Sequence, residues 1–235
     1  MKTYYFSYGI NCNPKLLSEK GVTFFSKQRA VLEDFRLVFN KKSLREQLPT
    51  SVGFANIEPS PSSLVEGLLY GIAEDSLSAL DVAQKYPDHY DRKQLAVITE
   101  SGTENAWVYV AQPSMTSDGL VPSRNYLNHL MKAESFLSQQ YLDALRRIDV
   151  HKDHCFCCER FGEVLFTREE QKLHVVCQAC LEAQSKWEQV INSKLTLAET
   201  ASVMQKLVMM GEGFSSLESL MSTAVEQGIV TSTNS

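Results

Sequence analysis

Six cysteines occur in 235 residues; five fall between Cys155 and Cys180, and Cys12 stands alone near the start. Cys155 and Cys158 form one Cys-x2-Cys pair and Cys177 and Cys180 a second, with eighteen residues between the pairs. Each pair is expected to fold as a tight knuckle that aims two thiolates at one ion, and the spacing is that of a zinc ribbon or treble clef. Four thiolates complete a tetrahedral shell with no open position, so the implied zinc is structural rather than catalytic. Cys157 is the expected spare thiol, because only the 155/158 pair has the two-residue gap, and His151 and His154 are read as loop histidines. A module of about thirty residues has too little core to fold unaided, and metal binding would supply the missing stability.

A second place with chemical potential is the turn Tyr8-Gly9-Ile10-Asn11. Gly9 can take backbone angles barred to other residues and lets a ligand approach the main chain. Consecutive N–H groups in such a turn form an anion-binding concavity, and Asn11 offers a polar cap.

The chain as a whole bounds what these groups can serve. Hydrophobic residues are 43% and charged residues 22%, which excludes a largely disordered chain, a collagen-like fibre and a coiled coil. The net charge of −5 disfavours a generic polyanion binder. Residues 151–181 carry Lys152, Arg160, Arg168 and Lys172 against five acidic side chains, whereas phosphate binding needs a net positive face. Nucleic acid is therefore an unfavoured partner, and a protein partner is expected for this region. No run of 18 apolar residues suggests a membrane span, and Met1 to Gly9 lack the apolar stretch and cleavage site of a signal peptide. The default compartment is the cytoplasm. Residues 1–150 carry 16 basic and 17 acidic side chains, and residues 151–235 carry 7 and 11. This shift, with the cysteine clustering, places a domain boundary near Asp149-Val150-His151, giving domains 1–150 and 151–235.

The first domain reads as α+β. Strands are expected at Tyr4–Ser7, across Val31 to Phe39, over Leu64–Ile72, and at Gln94–Thr99 and Ala106–Val110, the last two joined by a hairpin at Ser101-Gly102-Thr103. A short helix is expected at Asp75–Asp81, and helical spacing runs from Ser123 to Ile148. Together these predict a small mixed β-barrel with packed helices. In the second domain, Gly162–Thr167 and Leu173–Val176 read as a hairpin that brings the knuckles together. Helices are expected from Leu181 to Ile191, from a capping box at Thr196-Leu197-Ala198-Glu199, and from Ser215-Ser216-Leu217-Glu218. Met204, Met209, Met210 and Met221 read as core filler, and Val230–Ser235 as a frayed tail.

Four features over residues 4–148 resemble the gamma-glutamylcyclotransferase family, a small barrel fold. Tyr8-Gly9-Ile10-Asn11 is similar to the family's Tyr-Gly-Ser-Asn loop, with Ile10 in place of a serine. Ala30-Val31-Leu32-Glu33-Asp34-Phe35 resembles its Ala-x-Leu-x-Asp-Phe strand, and Gly53–Pro61 followed by Val65–Tyr70 resembles the segment before its catalytic helix. Pro122–Leu127 leading into Tyr141–Leu145 looks like its closing helical hairpin. The resemblance implies that the turn, with Tyr90, binds a gamma-glutamyl or similar amino-bearing ligand. The implied reaction converts a gamma-glutamyl amide into 5-oxoproline when the substrate's α-amino group attacks its γ-carbonyl. A base must take the ammonium's proton, and the leaving nitrogen must receive one.

The resemblance places that base at a glutamate in a Leu-Asp-x-x-Glu sequence, and the gap-free counterpart here is Leu80-Asp81-Val82-Ala83-Gln84, followed by Tyr90-Asp91-Arg92, similar to the family's Tyr-x-Arg. Glutamine keeps an acceptor and a donor but cannot shuttle a proton near neutral pH. The expected function is thus a binding protein with impaired catalysis, a pseudoenzyme. The alternative is an active cyclotransferase with a substitute base from Asp81, Asp88, Glu74 or His89. Asp81 is shared with active members, and the other three are expected on a solvated loop.

Overall fold

The run near the start forms β1 (Lys2–Ser7), whose last three residues, Tyr5, Phe6 and Ser7, are buried. It pairs antiparallel with the far end of β3 (Gly53–Ala73), from Lys2↔Ala73 to Ser7↔Leu68. The same β3 pairs along its length with β2 (Phe24–Lys42), from Phe24↔Ile72 to Lys42↔Gly53. Both are far longer than their apolar runs predict, because residues such as Lys27, Gln28 and Arg36 keep polar side chains outward while their backbones stay in the ladder. The pairing is interrupted around Asp34, where φ is 59° and the carboxylate accepts the Ser62 N–H at 3.0 Å. Pro61, with no N–H to give, lies in that interruption.

β4 (Tyr90–Thr99) and β5 (Gly102–Ala111) pair in full register, and the Thr99 hydroxyl closes their turn by donating to the Gly102 carbonyl at 2.8 Å. Bridges Val31↔Ile98 and Tyr5↔Trp107 close a five-strand barrel in the order β1-β3-β2-β4-β5. Its core includes Phe6, Leu68, Tyr70, Ile72, Val97 and Val108. The structure is a computed structural model that describes residues 2–43, 47–191 and 194–209, and the chain divides into two units, Met1–Val150 and His151–Ser235.

Helices of the first unit follow local capping chemistry. Asn13 caps α1 (Pro14–Glu19) by accepting the Lys15 N–H at 3.1 Å. α2 (Ser76–Gln84) ends where Lys85 turns left-handed at φ 52°. The helical stretch expected from Ser123 to Ile148 is broken into α3 (Arg124–Leu130), a 3-10 segment Met131–Phe136 and α4 (Gln139–Arg146). Ser123 and Ser138 each cap the helix that follows.

Glu66, 5% exposed on β3, fixes the start of α4: its carboxylate accepts the Ser138 N–H at 2.7 Å and the Ser138 hydroxyl at 2.6 Å, and it faces Arg29 at 3.1 Å. Burial alone would raise its pKa, but the Ser138 and Arg29 contacts outweigh it and hold the group below its ordinary value. The unfolded chain then binds the proton more readily, so this contribution is complete above the ordinary glutamate pKa and lost as pH falls through the folded-state value. Glu66→Ala is expected to cost about 2–4 kcal/mol in denaturant unfolding, and Glu66→Gln to flatten the loss of stability below about pH 4.5.

In the second unit β6 (Lys152–His154) pairs with β7 (Phe161–Glu163), and β8 (Leu165–Glu169) with β9 (Lys172–Val176). Gly162 and Glu163 therefore belong to the first of two hairpins and not to the single hairpin expected from Gly162 onward. α5 (Gln178–Ile191) starts before Cys180 and carries that thiol on its first turn. The expected capping box opens α6 (Leu197–Met209): Glu199 accepts from the Thr196 N–H and hydroxyl at 2.8 Å each, and the Thr196 hydroxyl accepts the Glu199 N–H at 3.1 Å. Trp187, Ala183, Leu197, Ala201 and Met204 pack a small core beside the cysteines. The helix expected at Ser215, Met210, Met221 and the Val230–Ser235 tail lie outside the described residues, as do the side chains of Val190, Ile191, Leu207, Val208 and Met209. Among the described residues no helix is long and apolar enough to cross a membrane.

Candidate functional site

The first unit holds a cavity of about 440 Å³. Tyr8, Gly9, Ile10, Asn11, Gln84 and Tyr90 all line it, and of the four substitute bases weighed in the sequence His89 lines it while Asp81, Asp88 and Glu74 do not.

The turn after β1 passes through Gly9 into a single 3-10 turn, Ile10–Cys12, closed by the Cys12 N–H on the Gly9 carbonyl at 2.9 Å. A β-carbon at Gly9 would lie 2.7 Å from the Tyr126 hydroxyl oxygen and 3.2 Å from the Ala55 β-carbon, so close approach, not a positive φ, requires glycine here. That hydroxyl accepts the N–H groups of Ile10 and Ala55 at 3.3 Å each. Asn11 is buried; its amide donates to the Tyr5 hydroxyl at 2.9 Å, its side-chain oxygen accepts from the Lys20 ammonium, and its carbonyl accepts the Tyr70 hydroxyl at 3.0 Å. Tyr8 donates to the Tyr109 carbonyl and Tyr90 to the Ala55 carbonyl, the latter at 3.1 Å. Burial pushes the Tyr5 phenol up to about 12 and those of Tyr8 and Tyr90 well above their ordinary value, so the wall is neutral phenols.

Gln84 ends α2 and lines the cavity together with the turn and Tyr5. The segment after it is pinned: the Tyr86 N–H bonds the Asp81 carbonyl at 2.9 Å, the His89 N–H bonds the Lys85 carbonyl at 2.8 Å, and the Gln112 N–H bonds the His89 carbonyl at 2.9 Å. These bonds bring Lys85 and His89 to the cavity as well. The expectation of a solvated loop fits Glu74 and Asp88, which are exposed, but not His89. Asp81 does not line the cavity; it accepts Arg92 Nη1 and the Tyr109 hydroxyl at 2.7 Å each, tying α2 to β4 and β5. Glu19 and Lys41 line the cavity and were not singled out in the sequence. Both sit at the ends of secondary elements, where a charged residue reads as solvated surface.

In the second unit, the Sγ atoms of Cys155, Cys158, Cys177 and Cys180 all lie within 4.8 Å of one another, so these four could hold a metal ion. Cys158 and Cys177 are 3.8 Å apart. Tetrahedral ligation at a metal–sulfur distance near 2.3 Å sets neighbouring sulfurs about 3.8 Å apart, whereas a disulfide needs about 2.05 Å. The donor set and spacing thus fit a tetrahedral metal. The Cys155 Sγ also accepts the Cys177 backbone N–H at 3.2 Å. The Cys157 thiol stands outside the foursome, 3.8 Å from the Leu197 carbonyl. His151 stacks on Phe166 and His154 lies against Phe161; neither joins the cluster.

The barrel is of a kind seen in solved structures. One titled gamma-glutamyl cyclotransferase has a TM-score of 0.55 at 24% identity, covering 64% of this chain and 90% of that one. YkqA from Bacillus subtilis has a TM-score of 0.55 at 22% identity, covering 64% of this chain and 56% of that one. At such identity these likenesses speak for the fold. The chain belongs to the gamma-glutamyl cyclotransferase, AIG2-like family, whose model matches residues 5–128. Similar proteins include candidate gamma-glutamylcyclotransferases of Drosophila melanogaster, 34% identical over 61 residues, and Methanocaldococcus jannaschii, 35% identical over 54 residues. These matches cover 26% and 23% of this chain and span less than half of each relative, 39% and 45%. The matched region stops within α3, so it takes in the first arm of the closing helical hairpin, Pro122–Leu127, while the second arm on α4 and the whole second unit lie beyond it.

The close approach at Gly9 generates a prediction. Gly9→Ala must displace Tyr126 or the turn, at a cost of about 1–3 kcal/mol in unfolding free energy. Tyr126→Phe, which removes the shared acceptor without adding volume, is expected to cost about 1–3 kcal/mol by leaving two N–H groups unsatisfied.

Proposed function

We propose that the first unit binds a gamma-glutamyl or similar small amino-bearing ligand in the 440 Å³ cavity and is impaired in cyclising it. The observation that carries this reading is Gln84 lining the same cavity as the Tyr8–Asn11 turn. Family membership supports the ligand class, and the family resemblance supports position 84 as that of the proton-shuttling acid. An amide there can accept a hydrogen bond from the ligand's ammonium but cannot carry its proton to the leaving nitrogen. A positioned acid–base group contributes roughly 10²–10⁴-fold to such a step.

Incubation of purified protein with gamma-glutamyl amino acids and amines tests the reading by release of 5-oxoproline. The unaltered chain is expected to release little, and Gln84→Glu to raise the rate by about 10²-fold or more. Ready turnover by the unaltered chain would contradict impairment. One observation favours a second reading, an active enzyme: the Glu19 carboxylate lines the cavity. That reading requires turnover by the unaltered chain that Glu19→Gln abolishes.

For the second unit the reading is a structural zinc site formed by Cys155, Cys158, Cys177 and Cys180, supported by the sulfur spacing and the four-thiol donor set. When bound, zinc would hold all four thiolates and supply folding free energy that the small core lacks. Its acidic balance favours a protein partner over nucleic acid. Elemental analysis is expected to give one zinc per chain. Cys180→Ser is expected to lose the metal and the far-ultraviolet helical signal of this unit, and Cys157→Ser to keep both. Zinc-free protein with an intact second unit would overturn the assignment.

A further inference from the structure

Lys41, the penultimate residue of β2, lines the cavity with only 5% of its surface exposed. Its ammonium donates to the Lys42 carbonyl at 2.7 Å and lies 3.2 Å from His89 Nδ1. The rings of Phe54 from β3 and Tyr90 from β4 flank it at 5.9 and 5.6 Å. The charges facing it are Lys42 on its own strand and Lys85 after α2; among the described residues none of its contacts is a carboxylate. Taking an ammonium out of water without a counter-ion is costly, and buried charges are ordinarily paired. Burial first, then Lys85 and Lys42, bring its pKa down to about 8. Burial first, then Lys41 and Lys85, also lower that of His89, against the opposing pull of Asp88, the exposed carboxylate next to it in the chain.

We propose that Lys41, with His89 and Lys85 beside it, is an anion-binding subsite of the cavity that takes a carboxylate carried by the part of the ligand beyond its glutamyl end. The inference rests on reading the cavity as the ligand site. The placement beyond the glutamyl end follows from the wall. From the turn, the Tyr126 hydroxyl meets the Ile10 N–H at 3.3 Å, the Phe54 ring stands 5.6 Å from the Tyr126 ring, and Lys41 lies past Phe54. The chain of contacts from the Gly9–Asn11 backbone to the ammonium thus runs through two aromatic rings. An ammonium and a carboxylate meeting in a partly dry cavity form a short charge-assisted bond, stronger than either makes with water-exposed partners. Pairing also favours the protonated lysine, so binding should draw in a proton where the free amine is largely neutral.

Calorimetric titration with two probes of matched size, gamma-glutamylglycine and gamma-glutamylisobutylamide, tests this. The probes share the glutamyl end, and only the first carries a second carboxylate. The unaltered chain is expected to bind gamma-glutamylglycine about tenfold more tightly or better. The preference should vanish in Lys41→Met and persist in Lys41→Arg. At pH 8.5 binding of gamma-glutamylglycine should take up protons, read as a heat that depends on the buffer's ionisation enthalpy, and binding of the amide should not. Equal affinities for the two probes in the unaltered chain would overturn the subsite while leaving the ligand cavity standing. Failure of both probes to bind would overturn the cavity reading and the subsite with it.

Discussion

One hydroxyl organises the cavity wall. Tyr126, on α3, accepts the backbone N–H groups of Ile10 and Ala55 at 3.3 Å each and so ties the turn after β1 to the start of β3. The contact exists only because Gly9 has no β-carbon: one would stand 2.7 Å from that oxygen. From this joint the rest of the wall follows. Tyr90 reaches the carbonyl of the same Ala55, Tyr70 holds the Asn11 carbonyl, and Tyr5 holds the Asn11 amide. The turn read in the sequence as an open anion cradle is thus partly satisfied from within, since the Ile10 N–H and the Asn11 side chain already have partners. What the cavity offers a ligand is a rigid, phenol-lined surface with charge at separate points.

Those charges set the chemistry. Position 84 lines the same space as the turn, and the amide it carries cannot shuttle a proton near neutral pH. Among the described residues Lys20, Lys41 and Lys85 and also Glu19 line the same cavity, with His89 drawn toward its neutral form. Asp81, the nearest acid in sequence, is committed to Arg92 and Tyr109, and Arg92 in turn lies over Trp107 at 4.6 Å. Releasing it to act as a base would break the tie between α2 and the β4–β5 hairpin.

The parts of this structure that the sequence showed are those set by local spacing. Two Cys-x2-Cys pairs place four sulfurs around one point, and the gap of two residues is enough to leave Cys157 out. Thr196 and Glu199 read as a cap and form one, because the reciprocal bonds span three residues. The barrel was visible as five apolar runs, but the reach of β2 and β3 was not, since pairing of their polar arms depends on the partner backbone rather than on side-chain pattern. The site needed more than spacing: only the family resemblance assigned a role to Gln84. Lys41 was not legible, and His89 was weighed as a base but expected on a solvated loop, because their burial is produced by the fold. Lys41 sits in an Asn-Lys-Lys strand end that looks like solvated surface, and it becomes buried when His89 and Tyr90 fold over it.

The claim that most of this depends on is that the cavity holds a gamma-glutamyl compound and leaves it intact. Carbon-13 magnetic resonance of a glutamyl-labelled gamma-glutamylglycine mixed with an equal amount of the unaltered protein follows both halves at once. The account predicts glutamyl resonances that shift on binding and stay unconverted over hours. Resonances of 5-oxoproline growing in at the expense of the ligand, or glutamyl signals that do not shift at all, would contradict it.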